Sequence, residues 1–531
     1  MNNVNISKVY LLGVPLENDY KNTLYFASAE AQQSYFASQV LFSFTDFSYQ
    51  RKDHFIRVPR GYDDVYKCNY VMYQNTAYSN KWFYAFITKI VYVDDGRTDV
   101  YIETDVIQTW LFDYTVKASF VEREHVDDDT IGIHTVPEGL EIGEYIVDNK
   151  VKGRTFGGVG EVVIGATIDL TDDSYPPING CLTGGIYNGL KYFYCNSINS
   201  LNTYLKKVAE AGKSDSIVTM FMADNKFFEF VASQDSNIHK VVDSGAALST
   251  TWSQGSLGGE SIEPVPKPTK LNGYTPKNKK LLTFPFCYLM ASNNNGSNAI
   301  YKYELFSSNN CDFKFIGTLC PGMNIRLQPL NYNNQTINNE EGLNLGKLPI
   351  CSWNTDVYTN WLTQNSINVG LSVGSGIGQF VGGLALSGTG GGALAGVGMM
   401  TGGIMSVASS LGQIYQHSLT PPQAEGNINN GDVMYSSGNC SIDMYQMTIK
   451  QEYAKIVDQY FQMFGYKVNL VKVPNKNHRA NWWYTKTIDV NIDGDIPNND
   501  MQKIKDCYNK GITFWKSASN IQNYSLSNDI V

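Results

Sequence analysis

The chain has 531 residues, 43% hydrophobic and only 17% charged, which is enough for a sizeable core in several domains or in one domain with insertions. Its 41 Lys and Arg against 50 Asp and Glu leave a net charge of −9, with no long basic block, which excludes a tight electrostatic grip on nucleic acid. The 35 Tyr and 25 Phe, with recurrent Asn-rich turns, favour strands, because aromatic side chains fit a pleated, half-buried surface.

The opening MNNVNISKVYLLGV lacks a basic region followed by a long apolar stretch, so no secretion signal is expected. The first 120 residues read as strands with short breaks. Val40, Phe42 and Phe44 alternate with polar residues, and WFYAFITKIVYV at 82–93 reads as a strand with both faces apolar. Asp95-Gly96 supplies a tight turn, and Val100 and Ile102 alternate with Tyr101 and Glu103 on the return, as in a hairpin. A short helix at 105–112, capped by Thr104 or Asp105, comes next. Residues 120–280 are less regular, but Leu201, Tyr204, Leu205 and Val208 at helical spacing predict one helix. Pro264-Val265-Pro266-Lys267-Pro268 followed by Gly273 reads as a linker, with strands resuming near 281–290 and 300–318. Tyr453, Ile456, Val457, Tyr460, Phe461 and Phe464 define one face of a helix that stops at Gly465. A strand at 466–474 follows, then a last helix at 499–510 that starts at Asn498 or Asn499 and ends at Gly511. No repeat of solenoid length is present.

One segment breaks the pattern. Between Asp356 and Glu425 there are 68 consecutive residues without Asp, Glu, Lys or Arg, where about 12 charges would be expected from the chain average. The window holds 15 of the 47 glycines. It splits into two apolar arms, 366–386 and 393–415, around the turn SGTGGG at 387–392. Each arm is about 20 residues, long enough to cross a bilayer as a helix. Gly370, Gly374, Gly378 and Gly382 recur every four residues, as do Gly388, Gly392 and Gly396. On a helix such stripes let a neighbour approach closely. Each interior Gly costs a helix in water roughly 1 kcal/mol relative to Ala, whereas lipid offers no water to compete for the backbone. Flexible linkers are poor in the large apolar residues found here, among them Phe380, Leu384, Leu394, Met399, Met400, Ile404 and Met405. Membrane insertion is therefore preferred over a packed loop.

LLGVPLENDYKNT (11–23), NKWFYAFIT (80–88), DVIQTWLFDY (105–114), EREHV (122–126) and EGLEIGEY (138–145) resemble the tail knob proteins of small short-tailed phages, podoviruses that infect Gram-positive bacteria. The charge-free loop, FGYKVNLVKVPN (464–475) and GITFW (511–515) extend the resemblance to both ends of the chain, while 150–350 match faintly. The resemblance implies a hexameric tube at the distal end of the tail. Strands of six subunits would close a barrel through which viral double-stranded DNA leaves. Apolar loops would plug its mouth and then enter the host cytoplasmic membrane.

Other constellations are weaker. Asp489, Asn491, Asp493 and Asp500, with Gly494 in sixth place, fit a calcium loop in ligand spacing. The flanking NWWYTKTI reads as a strand rather than an entering helix, so a plain turn is preferred. The six histidines show no metal-ligand spacing. The nine cysteines, at 68, 181, 195, 287, 311, 320, 351, 440 and 507, include no Cys-x-x-Cys and read as free thiols made in a reducing cytoplasm. Glu122, Glu124 and His125 suggest acid–base chemistry, but such clusters are more often solvated faces. Trp82-Phe83 and Trp482-Trp483 could be carbohydrate or base platforms, although packing is the commoner role.

The reading is a mainly β protein with minor helices, whose barrel-like tail-tube domain closes into a ring oligomer. Its expected segments are a tube domain at 1–150 and 426–531, an inserted domain at 151–270, a second β insertion at 271–355 and the apolar membrane-active loop at 356–425. It is expected in the distal tail of the virion, made in the host cytoplasm, with other tail proteins as partners. No catalysis, metal or cofactor is expected. A stand-alone pore-forming toxin shares the apolar hairpin, and a receptor-binding tail adhesin or a cell-wall hydrolase stays open as an alternative.

Overall fold

A computed structural model of the chain describes residues 7–47, 55–75, 79–156, 162–178, 181–183, 186–188, 190–213, 216–222, 237–241, 265–294, 296–317, 324–338, 340–347 and 440–531. The fold is mainly β, in two compact units. The first comprises Met1–Glu144, Gly273–Thr283 and Ile449–Val531; the second comprises Tyr145–Asn272 and Phe284–Thr448.

The first unit is built on two sheets. The larger orders its six antiparallel strands as Val40–Phe47, Ser7–Leu12, Tyr70–Asn75, Trp82–Asp94, Arg97–Thr104 and Phe55–Val58. The second runs Asn22–Leu24, Ile512–Trp515, Trp482–Ile488, Ser119–Glu124 and Tyr466–Lys472. Both sheets bury both faces along part of their length. Val71, Tyr73, Phe83 and Ala85 enter one core with Trp483, Ile504 and Phe514. Their neighbours Tyr70, Met72, Tyr84 and Phe86 enter another with Phe36, Trp482 and Trp515. Successive strand residues point to opposite faces, so a strand between two cores is apolar throughout. That accounts for the first half of WFYAFITKIVYV. Its second half runs into solvent, and Tyr92 is exposed. Trp82-Phe83 and Trp482-Trp483 are packing elements: the Trp82 ring lies 5.5 Å from that of Tyr10 and the Phe83 ring 5.3 Å from that of Tyr73, while Trp482 lies opposite Trp515 and Trp483 opposite Phe514 across adjacent strands.

Helix Val106–Trp110 is capped by Asp105, whose side chain accepts from the Gln108 N–H. Helix Ala29–Ser38, which periodicity alone misses, carries an equivalent Ser28 cap and buries Phe36. Helix Gln451–Phe464 stops at Gly465 as predicted, but its buried face is Ala454, Val457, Asp458, Phe461 and Gln462. Ile456 is 65% exposed, so the expected apolar face is rotated toward two polar residues.

In the second unit, Ile217–Met222, Val162–Ala166, Lys191–Cys195 and Ile238–Lys240 form a sheet that shares a core with helix Ile198–Glu210 through Leu201, Tyr204, Leu205 and Val208. Within the expected linker the chain passes from the second unit to the first between Asn272 and Gly273, but its beginning is a strand. Val265–Pro266 pairs with Asn310–Gly317, and Val265 is fully buried. The strands expected at 281–290 and 300–318 are interrupted by short 3-10 turns at Lys279–Leu282 and Tyr303–Leu305. Cys68, Cys195, Cys287, Cys311 and Cys507 are free and buried.

Gly465 has φ +63°, and a Cβ there would lie 2.1 Å from the Glu124 carbonyl oxygen. Gly465→Ala should therefore cost on the order of 3–5 kcal/mol. Gly139 also has positive φ but faces open space, so Gly139→Ala should cost only about 1 kcal/mol. Urea unfolding of the two variants checks this, and equal losses would remove the steric explanation.

Candidate functional site

The loop residues Gly370, Gly374, Gly378, Phe380, Gly382, Leu384, Leu394, Gly396, Met399, Met400, Ile404 and Met405 lie outside the described residues. What is described is the pair of strands that flank that stretch in the second unit. It departs after strand Leu343–Lys347, which pairs with Asn324–Tyr332. It returns at strand Cys440–Ile449, which pairs with Cys287–Ser292 and buries Ile442 and Met444. One turn holds both stems. Asn293 donates from Nδ2 to the Asn344 carbonyl at 3.0 Å. Asn294, at φ +54°, donates from Nδ2 to Asp443 Oδ2 at 3.0 Å, where Lys150 Nζ also binds at 2.8 Å. The Asn-Asn signal is visible in the sequence, but its partners lie about 50 and 150 residues away, beyond any local pattern.

The first unit is tied together by buried charge. Glu138 is clamped between Arg123 and Lys280 and also accepts the Lys467 N–H at 3.0 Å. Arg123 Nη1 donates to the Gly465 carbonyl at 2.7 Å, and Lys280 Nζ donates to that of Val136 at 2.9 Å. Burial pulls the Lys280 ammonium below the usual lysine range, against the charge of Glu138. Asp458 accepts from Tyr274 Oη at 2.7 Å, the Lys277 N–H at 2.7 Å and the Asn278 N–H at 3.0 Å.

The acid–base suspects are structural. Glu122 pairs with Lys486 at 2.9 Å. Glu124 is buried, which raises its pKa, and it is held by Lys472 at 2.7 Å and by the Asn475 N–H at 2.8 Å. His125 accepts the Tyr484 N–H at Nδ1 (2.8 Å) and donates from Nε2 to the Gln462 carbonyl (3.1 Å), which fixes the neutral ring. Burial, then the charge of Arg479, pushes its pKa down to about 3. The calcium-like loop is also engaged. Asp493 pairs with Lys117, Asp500 accepts from Trp110 Nε1 at 3.0 Å, and Ile492–Gly494 pairs with Tyr114–Val116.

Comparison with known proteins gives these features a context. The family profile of the C-terminal domain of Bacillus phage phi29 tail knob protein gp9 matches residues 251–529. That of the caudoviral major tail protein N-terminus matches 5–115. The chain is 28% identical to tail knob protein gp9 of Bacillus phage B103, over 97% of both chains. It is 26% identical to its phi29 counterpart, over 98% of both. The bacteriophage C1 tail knob protein gp12 shares the fold, with a TM-score of 0.62 at 16% identity, covering 99% of this chain and 100% of that one. The class is therefore a structural protein of the phage tail. Within it, the chain belongs to the tail knob protein gp9 family, a component of the distal tail of the virion.

Two outcomes follow from the buried charges. Glu138→Ala leaves Arg123 and Lys280 buried without their carboxylate and should cost about 3–5 kcal/mol in urea unfolding. His125 has a folded pKa below its unfolded value of about 6.5, so its contribution is fully present above that pH and is lost as pH falls toward 3. At pH 5 the loss relative to pH 7 should be about 2 kcal/mol. Asp105, raised by burial to about 6, works in the opposite direction, because its contribution is lost as pH rises. The difference between the wild type and His125→Asn isolates the histidine. Identical pH slopes for the two would exclude this origin.

Proposed function

We propose that the protein lines a tube through which viral double-stranded DNA leaves, assembled as a hexameric ring, and that residues 366–415 plug the tube and then enter the host cytoplasmic membrane as a helical hairpin. The charge-free run of 68 residues carries this reading. A charge at mid-bilayer costs about 2.5–3.5 kcal/mol even on lenient insertion scales, and this segment holds none. Its four-residue glycine spacing offers helices of neighbouring copies a close-packing face. Ring assembly is supported by an exposed apolar row, in which Val471, Phe120 and Ile488 lie opposite one another across three strands that end at an edge. Such edges and patches favour association. Passage rather than gripping of DNA is supported by the net charge of −9. Among the described residues no helix is long and apolar enough to cross a membrane.

Deleting 366–415 should leave a folded ring, visible by electron microscopy, that no longer releases dye from liposomes. Gly374→Ile with Gly378→Ile should keep membrane binding and weaken release. A deletion that unfolds the ring, or a deleted ring that still releases dye, makes the segment structural and overturns the proposal.

A further inference from the structure

A cavity of about 270 Å³ opens in the first unit, between residues 25–27, 111–116 and 473–476 and the second sheet. Seven of its sixteen lining residues are aromatic; Trp483, Tyr508 and Phe514 are its buried floor, and Tyr25, Phe26, Phe112 and Tyr114 are the accessible faces. Three of them, Tyr25, Trp483 and Phe514, are braced against each other, with ring centroids 5.0 and 5.4 Å apart. The rim is equally fixed. Asn475 donates its N–H to Glu124 and its Nδ2 to Asp127 at 3.1 Å, while Lys472 binds its Oδ1 at 2.9 Å. The cavity is thus preformed, as ligand sites usually are.

Its polar content is specific. Lys476 is the only charged residue of the lining, and among the described residues it has no carboxylate partner. The hydroxyls of Tyr114 and Tyr508 hydrogen-bond to each other at 3.4 Å in the wall, which uses one of their two O–H donors, and Thr115, whose hydroxyl donates to the Asp493 carbonyl at 3.5 Å, stands at the exposed edge. A purely apolar ligand would cover the remaining phenol O–H and the Lys476 ammonium without giving either a partner, which is costly. A pyranose ring presents an apolar C–H face to aromatic side chains and hydroxyls at its circumference. The volume lies just under the roughly 300–1,000 Å³ of ordinary ligand clefts, so one ring fits and any chain continues outward. We propose that this cavity binds a single sugar ring carrying an anionic substituent, with the ring against the aromatic wall and the anion at Lys476. The site is independent of the membrane segment.

Saturation-transfer NMR on the full chain tests it, with glucuronate, methyl glucoside and benzoate as probes. Glucuronate should bind with a dissociation constant of about 1–10 mM. One exposed ion pair predicts a preference of about two- to five-fold over methyl glucoside. Lys476→Glu should abolish that preference without weakening the neutral sugar. Phe112→Ala, at an exposed rim position, should weaken both sugars by about two- to ten-fold. Both substitutions are at the surface, so a thermal melt unchanged from the wild type confirms that they fold. No transfer to either sugar at about 20 mM, transfer unaffected by either variant, or benzoate binding as tightly as glucuronate would each overturn the assignment.

Discussion

The first unit depends on a carboxylate held between two cations away from water. Glu138, Arg123 and Lys280 are nearly inaccessible, and the Coulomb gain of such a cluster is largely offset by desolvation. Its consequence is positional. Glu138 and Arg123 come from the first chain stretch, Lys280 from 273–283, and the Lys467 and Gly465 groups that complete the cluster from the last. Asp458 repeats the device by gathering the backbone of 277–278. A chain that leaves the unit twice and returns needs contacts that tolerate only one arrangement. Buried charge supplies this because every alternative leaves an ion unpaired.

The two aromatic cores act differently. Trp482 and Trp515 face one way and Trp483 and Phe514 the other, so each strand contributes to both. Their burial supplies most of the driving force, but apolar contact alone is tolerant of rearrangement. The polar clamps select among packings that the cores would accept.

Local patterns in the sequence reported what they physically encode. The Asp95-Gly96 turn, the Asp105 cap and the stops at Gly465 and Gly511 were legible because turn and cap chemistry is local. The class was legible from aromatic strings that only a related chain would repeat. The buried face of Gln451–Phe464 was not, because Asp458 and Gln462 are polar and become buried only when a partner 180 residues away arrives. The strand at 265–266 was hidden by its prolines, which suit an edge position. Glu124 and His125 looked chemical because their neighbours in space, Lys472 and Tyr484, are distant in sequence.

The stems of the charge-free segment contrast with the clamp. Each is seated in a sheet by strand pairing, but the turn that links one to the other contributes only two asparagine side chains and an ion pair whose lysine is half-exposed. Such contacts are worth about 1 kcal/mol each, against about 3–5 kcal/mol for breaking a buried charge pair. On the proposed reading, a trigger that delivers a few kcal/mol would break the link between the two stems before it opened the first unit, while the strand pairings of the stems persist. The segment could then change surroundings while the body that carries it stays folded. On that reading, the difference between the two sets of contacts would let one chain serve as a durable wall and as a part that moves once.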